Sequence, residues 1–484
     1  MQATLEQLTQ WLDGATVHNV HNVHKAGGDF TVRGVTTDSR AVAPGNLFVA
    51  LRGERFDAHD FLDAVAGLGA AAVVVERVPA GLSIPAIVVP DTRAALGRIA
   101  RHWRQQFAIP VIAVTGSNGK TTVKEMIASI LSAAFGEDHS LATRGNFNNE
   151  IGVPLTLFRL QAQHHAAVVE LGMNHPGEIA VLAEIARPTL ALVNNAQREH
   201  QEFMATVEAV ARENGAVFAA LPADGIAVFP AEDEYAWVWR ELAGERPVLS
   251  FGLNADADVS ATYQAQQFGS LIKVTVSING QTQQLQQFEI NLAAVGEHNV
   301  RNALAATACA LGAGIDAAAV VRGLEAFAPV SGRLQRKAAI SGALVIDDTY
   351  NANPDSVRAA IDVLAQTAAP RVLVLGDMGE VGNEGPKFHQ EIGAYARARG
   401  IEHFLGFGDA MRDAINEYNA VPGASFPARH FDTIDTVSAA AQEVASATAT
   451  VLVKGSRFMK MERVVQHLVG AQLQSGAPLH QETH

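Results

Sequence analysis

The sequence has few of the residues that would indicate a disulfide scaffold or a nucleic-acid-binding protein. Its single cysteine, Cys309, excludes an intramolecular disulfide framework and fits a reducing compartment. The formal net charge of −14 makes the protein as a whole repel nucleic acid and anionic membranes. A polyanionic substrate must therefore meet local positive charge and backbone N–H groups.

Long apolar runs are also missing. The longest run free of charged and amide side chains, Ala303–Ile315, is shorter than the roughly 20 residues that a membrane-spanning helix needs. Residues Met1–Gly14 carry Glu6 and Asp13, with neither the basic nor the apolar region of a secretory signal. We therefore expect a cytoplasmic protein without membrane insertion, in which Cys309 is a buried structural thiol.

The composition is that of a folded protein, with 48% hydrophobic and 18% charged residues in a chain of 484, which is too long for one core. Residues 1–107 mix short apolar runs with helical patterns. Residues 108–329 open on the apolar run Ile109–Thr115 and then alternate strands with helices, which is typical of a parallel sheet. Residues 330–484 repeat that alternation and predict a separate doubly wound domain.

Residues 247–290 break the alternation of the second segment. The alternating run Ile272–Ile278 and an Asn279–Gly280 turn predict a small antiparallel addition there. The fold class predicted is thus α/β with three domains: a small mixed N-terminal domain, a central P-loop ATPase-like parallel sheet with this addition, and a C-terminal Rossmann-like domain. The predicted strands are Ala71–Val75, Ala86–Val89, Ile109–Thr115, Ala166–Leu171, Thr189–Asn194, Ala343–Asp347, Arg371–Leu375, Glu402–Phe407 and Thr450–Lys454.

A glycine-rich loop, Thr115–Thr122 (TGSNGKTT), follows the first strand of the second segment and opens a helix. Its glycines let backbone N–H groups converge on an anion, and the helix N-terminus adds positive potential. Lys120 can reach the outer phosphates of a nucleotide, and the hydroxyl of Thr121 can bind Mg²⁺. Val114 stands where the longer phosphate-loop pattern has glycine, so the loop has the compact GxxGK[ST] form. The alternative is a glycine-rich turn with a solvated lysine.

Two more polar residues follow predicted strands. Glu170 ends an apolar strand, and the carboxyl ends of parallel strands meet at the edge where ligands bind, so this carboxylate could hold a metal ion. The alternative is an acid that faces solvent. His200 follows the strand Thr189–Asn194 and is a similar candidate, although a lone histidine is usually structural.

At this point the chain resembles the Mur ligase family over essentially its whole length. The loop TGSNGKTT, the segment Thr143–Thr156, Glu170 and the segment Gly296–Ala303 occur in the family's order. Two stretches, Asp347–Ser356 (DDTYNANPDS) and Leu375–Glu380 (LGDMGE), are similar to the member that adds D-alanyl-D-alanine.

The resemblance implies an ATP-dependent ligase of peptidoglycan precursor synthesis. Such an enzyme joins D-alanyl-D-alanine to the terminal carboxylate of UDP-N-acetylmuramoyl-tripeptide through an acyl-phosphate intermediate, with ATP and Mg²⁺ as cofactors. The segment Thr36–Leu51 resembles the UDP-sugar-binding domain of that member. We therefore predict a UDP-sugar-binding domain at 1–107, an ATP-binding domain at 108–329 and a ligase domain at 330–484, in a monomer.

The resemblance also assigns roles to individual residues. Those implied in catalysis are Lys120, Glu170, His200 and Arg333, and those implied in binding metal are Thr121, Glu170 and His200. Those implied in binding ATP are Gly116, Ser117, Asn118, Gly119, Lys120, Thr121, Thr122, Asn299 (adenine), Asn302, Arg333 and Asp348 (ribose). Those implied in binding the substrate are Ser39 and Arg40 at the uridine diphosphate, with Tyr350, Asn351 and Asn353 at the reacting peptide end.

Two positions depart from the family's pattern. Ala58 stands where members often have glycine. In the helix after His200, many members have a lysine that is carbamylated to bind metal, and counting back from Gly215 puts Asn214 in its place. An amide has no basic amine to carbamylate, so we expect any second ion to be held mainly by His200, water and substrate oxygens.

Other functions share part of this pattern. A folate-type polyglutamate ligase would have the compact loop but would not need Thr36–Leu51. A phosphotransferase would stop after phosphoryl transfer, and a non-catalytic protein would only bind the nucleotide. The sequence leaves open whether the tripeptide ends in lysine or in diaminopimelate.

Overall fold

The computed structural model describes residues 1–18, 31–54, 56–199, 201–204, 206–277, 286–420 and 426–470. These residues form three α/β domains in chain order, each built on a sheet with helices packed against it. The predicted three-domain α/β class is therefore confirmed. The exact boundaries after residues 107 and 329 stay predictions.

The N-terminal domain has a five-stranded sheet and a separate two-stranded pair. Its elements are β1 (Gln2–Thr4), α1 (Leu5–Trp11), β2 (Thr16–His18), β3 (Thr31–Arg33), β4 (Val35–Thr36), β5 (Leu47–Val49), α2 (Leu62–Gly67), β6 (Ala72–Val75), β7 (Ala86–Val88) and α3 (Thr92–Arg104). The sheet order is β2-β7-β6-β5-β4, with only β2 antiparallel to its neighbour. Every residue of β5 and β6 is buried, because these strands lie between helices on both faces.

The central domain contains a nine-stranded sheet. Its elements are β8 (Val111–Thr115), α4 (Lys120–Phe135), β9 (Ser140–Ala142), α5 (Gly152–Leu157), β10 (Ala166–Glu170), α6 (Glu178–Ala186), β11 (Leu190–Val193), α7 (Val207–Gly215), β12 (Ile226–Pro230), α8 (Ala236–Ala243), β13 (Val248–Gly252), β14 (Val259–Gln266), β15 (Gly269–Val276), β16 (Gln286–Leu292), α9 (Glu297–Gly312) and α10 (Ala317–Ala326). The order is β16-β15-β14-β13-β12-β11-β8-β10-β9. β8 is fully buried and lies between β11 and β10, so its carboxyl end is surrounded by loops from both neighbours.

The predicted antiparallel addition is present but is joined to the central sheet. β14, β15 and β16 pair antiparallel with one another, while β13 pairs parallel with both β12 and β14. The strands β14, β15 and β16, which interrupt the alternation of strands and helices, thus extend the parallel sheet. The predicted turn at Asn279–Gly280 lies outside the described residues. In the central domain, α7 ends at Gly215 and a 3-10 helix, Ala216–Ala220, continues directly from it.

The C-terminal domain has a six-stranded sheet. Its elements are β17 (Gln335–Ala338), β18 (Leu344–Asp348), α11 (Pro354–Ala365), β19 (Arg371–Gly376), α12 (Gly385–Ala398), β20 (His403–Phe407), α13 (Met411–Ala420), β21 (Arg429–Phe431), α14 (Ile434–Val444), β22 (Thr450–Lys454) and α15 (Glu462–Val469). The order is β17-β18-β22-β19-β20-β21, with only β17 antiparallel. This arrangement matches the predicted doubly wound domain.

The longest helices of the central domain, α4 and α9, pack together against its sheet. Cys309 lies buried in α9, as predicted, and burial raises the pKa of its thiol. Within the described ranges, no helix combines the length and the apolar character that crossing a membrane requires.

Gly323 allows α10 to pack directly on the backbone of α4. A Cβ atom built at this position would lie 2.4 Å from the Cα atom of Ile130 and 2.7 Å from its nitrogen. Backbone atoms cannot move aside as a flexible side-chain end can, so even one methyl group would separate the helices.

We expect Gly323→Ala to lower the thermal unfolding midpoint, at a cost of about 1–3 kcal/mol, because the helices must separate. Gly67→Ala is the matched control. Gly67 ends α2 with nothing within 4 Å of the added atom, so alanine should leave stability unchanged or raise it by up to about 1 kcal/mol. Differential scanning fluorimetry of both variants measures the difference. Equal midpoints would contradict the close packing of α10 on α4.

Candidate active site

The phosphate loop has the shape that the sequence predicts. It leaves the carboxyl end of β8 and enters α4 at Lys120, with Gly116 at φ +125° and Gly119 at φ +83°. A Cβ atom at Gly119 would lie 2.6 Å from side-chain atoms of both Asn194 and Asn302. Only glycine fits there, because both the backbone conformation and the space exclude a side chain.

Lys120 is held inside its own loop. Its ammonium group donates to the carbonyl oxygens of Gly116 at 2.5 Å and Ser117 at 3.2 Å, and to Glu199 Oε1 at 2.9 Å. The side chains of Lys120 and Glu199 are only 15% and 13% exposed. The carboxylate of Glu199 is thus the counter-ion of the phosphate-loop lysine, and a phosphate that binds Lys120 must compete with it.

Thr121 and Glu170 form the predicted metal position. The Thr121 hydroxyl donates to Glu170 Oε1 at 3.2 Å, and the Asn148 amide donates to the same oxygen at 2.9 Å. Glu170 is buried, and its Oε2 atom has no hydrogen-bond partner among the described residues. A buried carboxylate oxygen beside a threonine hydroxyl fits Mg²⁺, which typically takes one or two protein ligands together with phosphate oxygens and water.

His200, the other predicted metal ligand, lies outside the described residues. Within the residues that are described, no group of three or more histidine, cysteine, aspartate or glutamate side chains could hold a metal ion. Of the predicted metal ligands, Thr121 and Glu170 are therefore the two whose positions the structure describes.

A chain of amide side chains connects the nucleotide residues of α9 to the phosphate loop. Asn302 donates to Asn299 Oδ1 at 3.1 Å and accepts from Asn194 Nδ2 at 2.9 Å. Asn194 also donates to the carbonyl oxygen of Asn118 at 2.8 Å. Asn299 in turn donates to the carbonyl oxygen of Val295 at 2.8 Å. These bonds fix the predicted adenine-side residues relative to the phosphate side.

The C-terminal domain supplies the opposite side of the site. Asp348, at the end of β18, accepts a hydrogen bond from the Leu334 N–H at 3.1 Å and one from Lys454 Nζ at 2.7 Å. Lys454 ends β22 and is buried, and it also donates to the carbonyl oxygen of Asn351 at 2.8 Å. Asp348 therefore lies in the site as predicted, with each carboxylate oxygen already accepting a bond inside the protein.

Two residues of this side reach the phosphate loop itself. Arg333 donates to Thr121 Oγ1 at 2.9 Å and lies over the Tyr350 ring at 4.2 Å. Asn353, the N-cap of α11, exchanges amide hydrogen bonds with Asn118 at 2.9 and 3.3 Å. The C-terminal domain is thus in direct contact with the phosphate loop.

These residues enclose one cavity of about 1080 Å³ between the central and C-terminal domains. The predicted residues that line it are Ser117, Asn118, Gly119, Lys120, Thr121, Thr122, Glu170, Asn299, Asn302, Arg333, Asp348, Tyr350, Asn351 and Asn353. Gly116, at the start of the loop, is not part of the lining.

Ser39 and Arg40 are not part of that cavity. They form a short 3-10 helix that is capped by Asp38, and the Arg40 side chain is 83% exposed and paired with the same Asp38. Elsewhere in the N-terminal domain, the Asp57 carboxylate accepts from the ring and the backbone N–H of His59 and from Arg77. Burial opposes ionisation, but these bonds outweigh it and lower the pKa of Asp57 to about 2.

Asn214 supports the phosphate loop from beneath. Its Oδ1 atom accepts the N–H of Gly116 at 2.8 Å, and its Nδ2 atom donates to the carbonyl oxygen of Val210 at 3.1 Å. The side chain is buried. Both ends of this amide are therefore engaged by backbone, and its oxygen points to the loop.

Several residues of the site were not predicted from the sequence. Asn194 and Lys454 each lie at the carboxyl end of a predicted strand, so the rule that picked out Glu170 could have found them as well. Glu199 and Arg198 had no such signal, because they lie in the irregular segment between β11 and α7.

Comparisons with known proteins identify the chain. A UDP-N-acetylmuramoyl-tripeptide–D-alanyl-D-alanine ligase from Escherichia coli strain K12 is 40% identical over 97% of this chain and 98% of its own length. The chain belongs to the Mur ligase family. The family models that match are the Mur ligase family catalytic domain at residues 31–104, the Mur ligase middle domain at 114–310 and the Mur ligase glutamate ligase domain at 332–457.

Solved structures of Mur ligases share the fold. MurF from Acinetobacter baumannii is 34% identical, with a TM-score of 0.86, over 97% of this chain and 99% of its own. MurF from Thermotoga maritima, solved in complex with ADP, is 25% identical, with a TM-score of 0.78, over 90% of this chain and 97% of its own. This Mur ligase therefore has the complete three-domain architecture of those enzymes.

Lys120→Ala should lower kcat/KM for ATP by roughly 100-fold or more, because it removes the cation that the loop itself supplies. Lys387→Ala is the control, since Lys387 is an exposed lysine that pairs only with neighbouring Glu384 on the surface. Steady-state ligation rates and thermal midpoints of both variants make the comparison. Near-normal turnover of Lys120→Ala with an unchanged midpoint would contradict the role of Lys120.

Asn214→Ala should weaken nucleotide binding and lower the unfolding midpoint. The change leaves the buried Gly116 N–H without its acceptor, at a cost of about 1–3 kcal/mol. Glu208→Ala, which removes only an exposed ion pair with Arg212 on the same helix, is the control. Calorimetric titration with ADP and a thermal scan measure both effects. Wild-type affinity and stability in Asn214→Ala would show that the loop does not need this support.

Proposed function

We propose that this Mur ligase joins D-alanyl-D-alanine to the terminal carboxylate of UDP-N-acetylmuramoyl-tripeptide, with ATP as the phosphoryl donor. The observation that carries the proposal is the cavity in which the phosphate loop and the 348–353 segment of the C-terminal domain face each other. An amide ligase needs such a cavity, because the activated carboxylate and the attacking amine must meet beside the phosphate.

The relatives support the same substrates. The Escherichia coli enzyme named for this reaction aligns along nearly the whole chain, including the N-terminal domain. We infer that the N-terminal domain, with Ser39 and Arg40, binds the UDP end of the precursor, at a distance from the cavity. The peptide end then reaches Tyr350, Asn351 and Asn353.

The chemistry requires activation, because a carboxylate is a poor electrophile. ATP supplies the phosphoryl group that turns the carboxylate into an acyl phosphate with a good leaving group. Lys120 and the N–H groups of Gly116–Thr122 neutralise negative charge on the phosphates. Arg333, which lies against Thr121, places a second cation at the same point. The protein thus contributes position and charge.

Mg²⁺ is the proposed metal, with Thr121 and Glu170 as its protein ligands. The orphan Oε2 atom of Glu170 is available for that purpose. His200 is proposed as a further ligand, in line with the family resemblance. Asn214 is excluded from this proposed set, since its oxygen already accepts the Gly116 N–H.

We propose a monomer, because the residues predicted to bind ATP and those predicted to meet the peptide end line the same cavity of the chain. We also propose a cytoplasmic enzyme, because its proposed donor is ATP and its only cysteine is a buried thiol.

Phosphate release is expected only when the UDP-tripeptide and D-alanyl-D-alanine are both present. The tripeptide supplies the carboxylate that is phosphorylated, and the dipeptide supplies the amine that displaces the phosphate. The assay measures phosphate and identifies the pentapeptide product by mass spectrometry, with tripeptides that end in lysine or in diaminopimelate. A phosphorylated product formed without the amine would indicate that the reaction ends at phosphoryl transfer and hence that the protein is a phosphotransferase. Activity with a folate substrate and glutamate alone would indicate a polyglutamate ligase, and no substrate-dependent release would indicate a nucleotide-binding protein.

A further inference from the structure

The segment Gln197–Glu199, here called the coupling segment, lies between the phosphate loop and the C-terminal domain. On one side, the Gln197 N–H donates to Ser117 Oγ at 2.9 Å, and Gln197 Oε1 accepts from Asn118 at 2.6 Å. Glu199 pairs with Lys120 on the same side. Gln197 and Glu199 therefore both bond to the phosphate loop.

Arg198 points away from the phosphate loop and bonds to two helices of the C-terminal domain. Its Nε atom lies 3.1 Å from Asp355 Oδ1, and its Nη1 atom lies 2.7 Å from Glu391 Oε2. Its backbone N–H donates to Asp355 Oδ2 at 2.9 Å, and its guanidinium lies 5.2 Å from the centre of the Phe388 ring. Asp355 belongs to α11, whereas Phe388 and Glu391 belong to α12.

These contacts, here called the Arg198 clamp, use all three guanidinium nitrogens of Arg198 in a partly buried place. The side chain of Arg198 is 22% exposed, and those of Asp355 and Glu391 are 23% and 31% exposed. Burial opposes the charge, but the two carboxylates outweigh it and raise the pKa of Arg198. A planar guanidinium can bond both acids at once, which a lysine ammonium at the same place cannot do with the same geometry.

The clamp is close to the substrate side of the cavity. Asp355 follows the N-cap residue Asn353 by two positions on α11, and Asn353 bonds the phosphate loop through Asn118. Moving α11 away from the central domain would therefore break the Arg198 clamp and the Asn118–Asn353 pair together. It would also move Tyr350 and Asn351 away from the phosphates.

We propose that Arg198 is a positioning residue that sets the substrate side of the C-terminal domain against the phosphate loop, and that the coupling segment links phosphate binding to that placement. The inference rests on the proposed ligase function. Binding of a phosphate at Lys120 displaces Glu199, and the adjacent Arg198 transmits the shift to α11 and α12. No part of the link requires Arg198 to touch substrate.

Arg198→Ala tests the proposal. We expect kcat/KM for D-alanyl-D-alanine to fall by about 10- to 100-fold, since small displacements of reacting groups cost rates of that order. The dissociation constant for ADP, measured by calorimetry, should change less than about threefold, because the phosphate loop is intact. Arg198→Lys should recover only part of the loss. Small-angle scattering of the ligand-free variant should show a larger radius of gyration than the wild type.

Arg399→Ala is the matched control. Arg399 pairs with Asp362 at 2.8 Å inside the C-terminal domain and does not cross to the central domain, so its loss should leave amine kinetics unchanged. Asp355→Asn and Glu391→Gln each remove the negative charge of one acid that pairs with Arg198. Each should therefore reproduce part of the Arg198→Ala effect. These two variants keep the test valid if Arg198→Ala folds poorly.

Wild-type amine kinetics and scattering in Arg198→Ala, together with normal kinetics in both partner variants, would overturn the proposal. So would an equal loss of affinity for ADP and for the amine, because that would indicate general damage to the site. Neither result would touch the proposed function, which the substrate dependence of the wild-type enzyme decides separately.

Discussion

The phosphate loop can adopt its conformation because two of its positions, Gly116 and Gly119, have no side chain. At Gly119 the backbone passes so close to Asn194 and Asn302 that no Cβ atom fits, and at Gly116 it passes the backbone of Asn194 at a similar distance. This close approach lets the amides of β11 and α9 hold the loop from behind. The loop N–H groups are then free to face the cavity, where an anion can bind them.

Much of the fold could be predicted because buried parallel strands are short, apolar and rich in β-branched residues. β8, β10, β19 and β22 were found in this way within one or two residues. β12 and β13 were not predicted. β12 ends in Pro230, and β13 contains Ser250, which interrupts the apolar pattern. Their place in the sheet is set by hydrogen bonds to other strands, and the spacing of apolar residues along the sequence does not reveal those bonds.

The site was predicted unevenly for a related reason. A glycine-rich loop and a strand-end carboxylate have local signals, and the motifs of the family resemblance supplied the residues of the C-terminal domain. Arg198 and Glu199 act through partners far away in sequence, with Asp355 lying 157 positions from Arg198. The role of Asn214 also depends on such a partner, Gly116, and the sequence could show only that its amide replaces a lysine.

The chain of asparagines behind the loop has a consequence for how the site responds to acid and base. Amide side chains neither gain nor lose a proton across the range in which carboxylates, histidine and lysine titrate. The bonds that run from Asn299 through Asn302 and Asn194 to Asn118 therefore contain no titrating group of their own. At one end, Asn299 Nδ2 lies 3.2 Å from Nε2 of His298, whose pKa is lowered by burial, so this ring is where a change in proton concentration can reach the support.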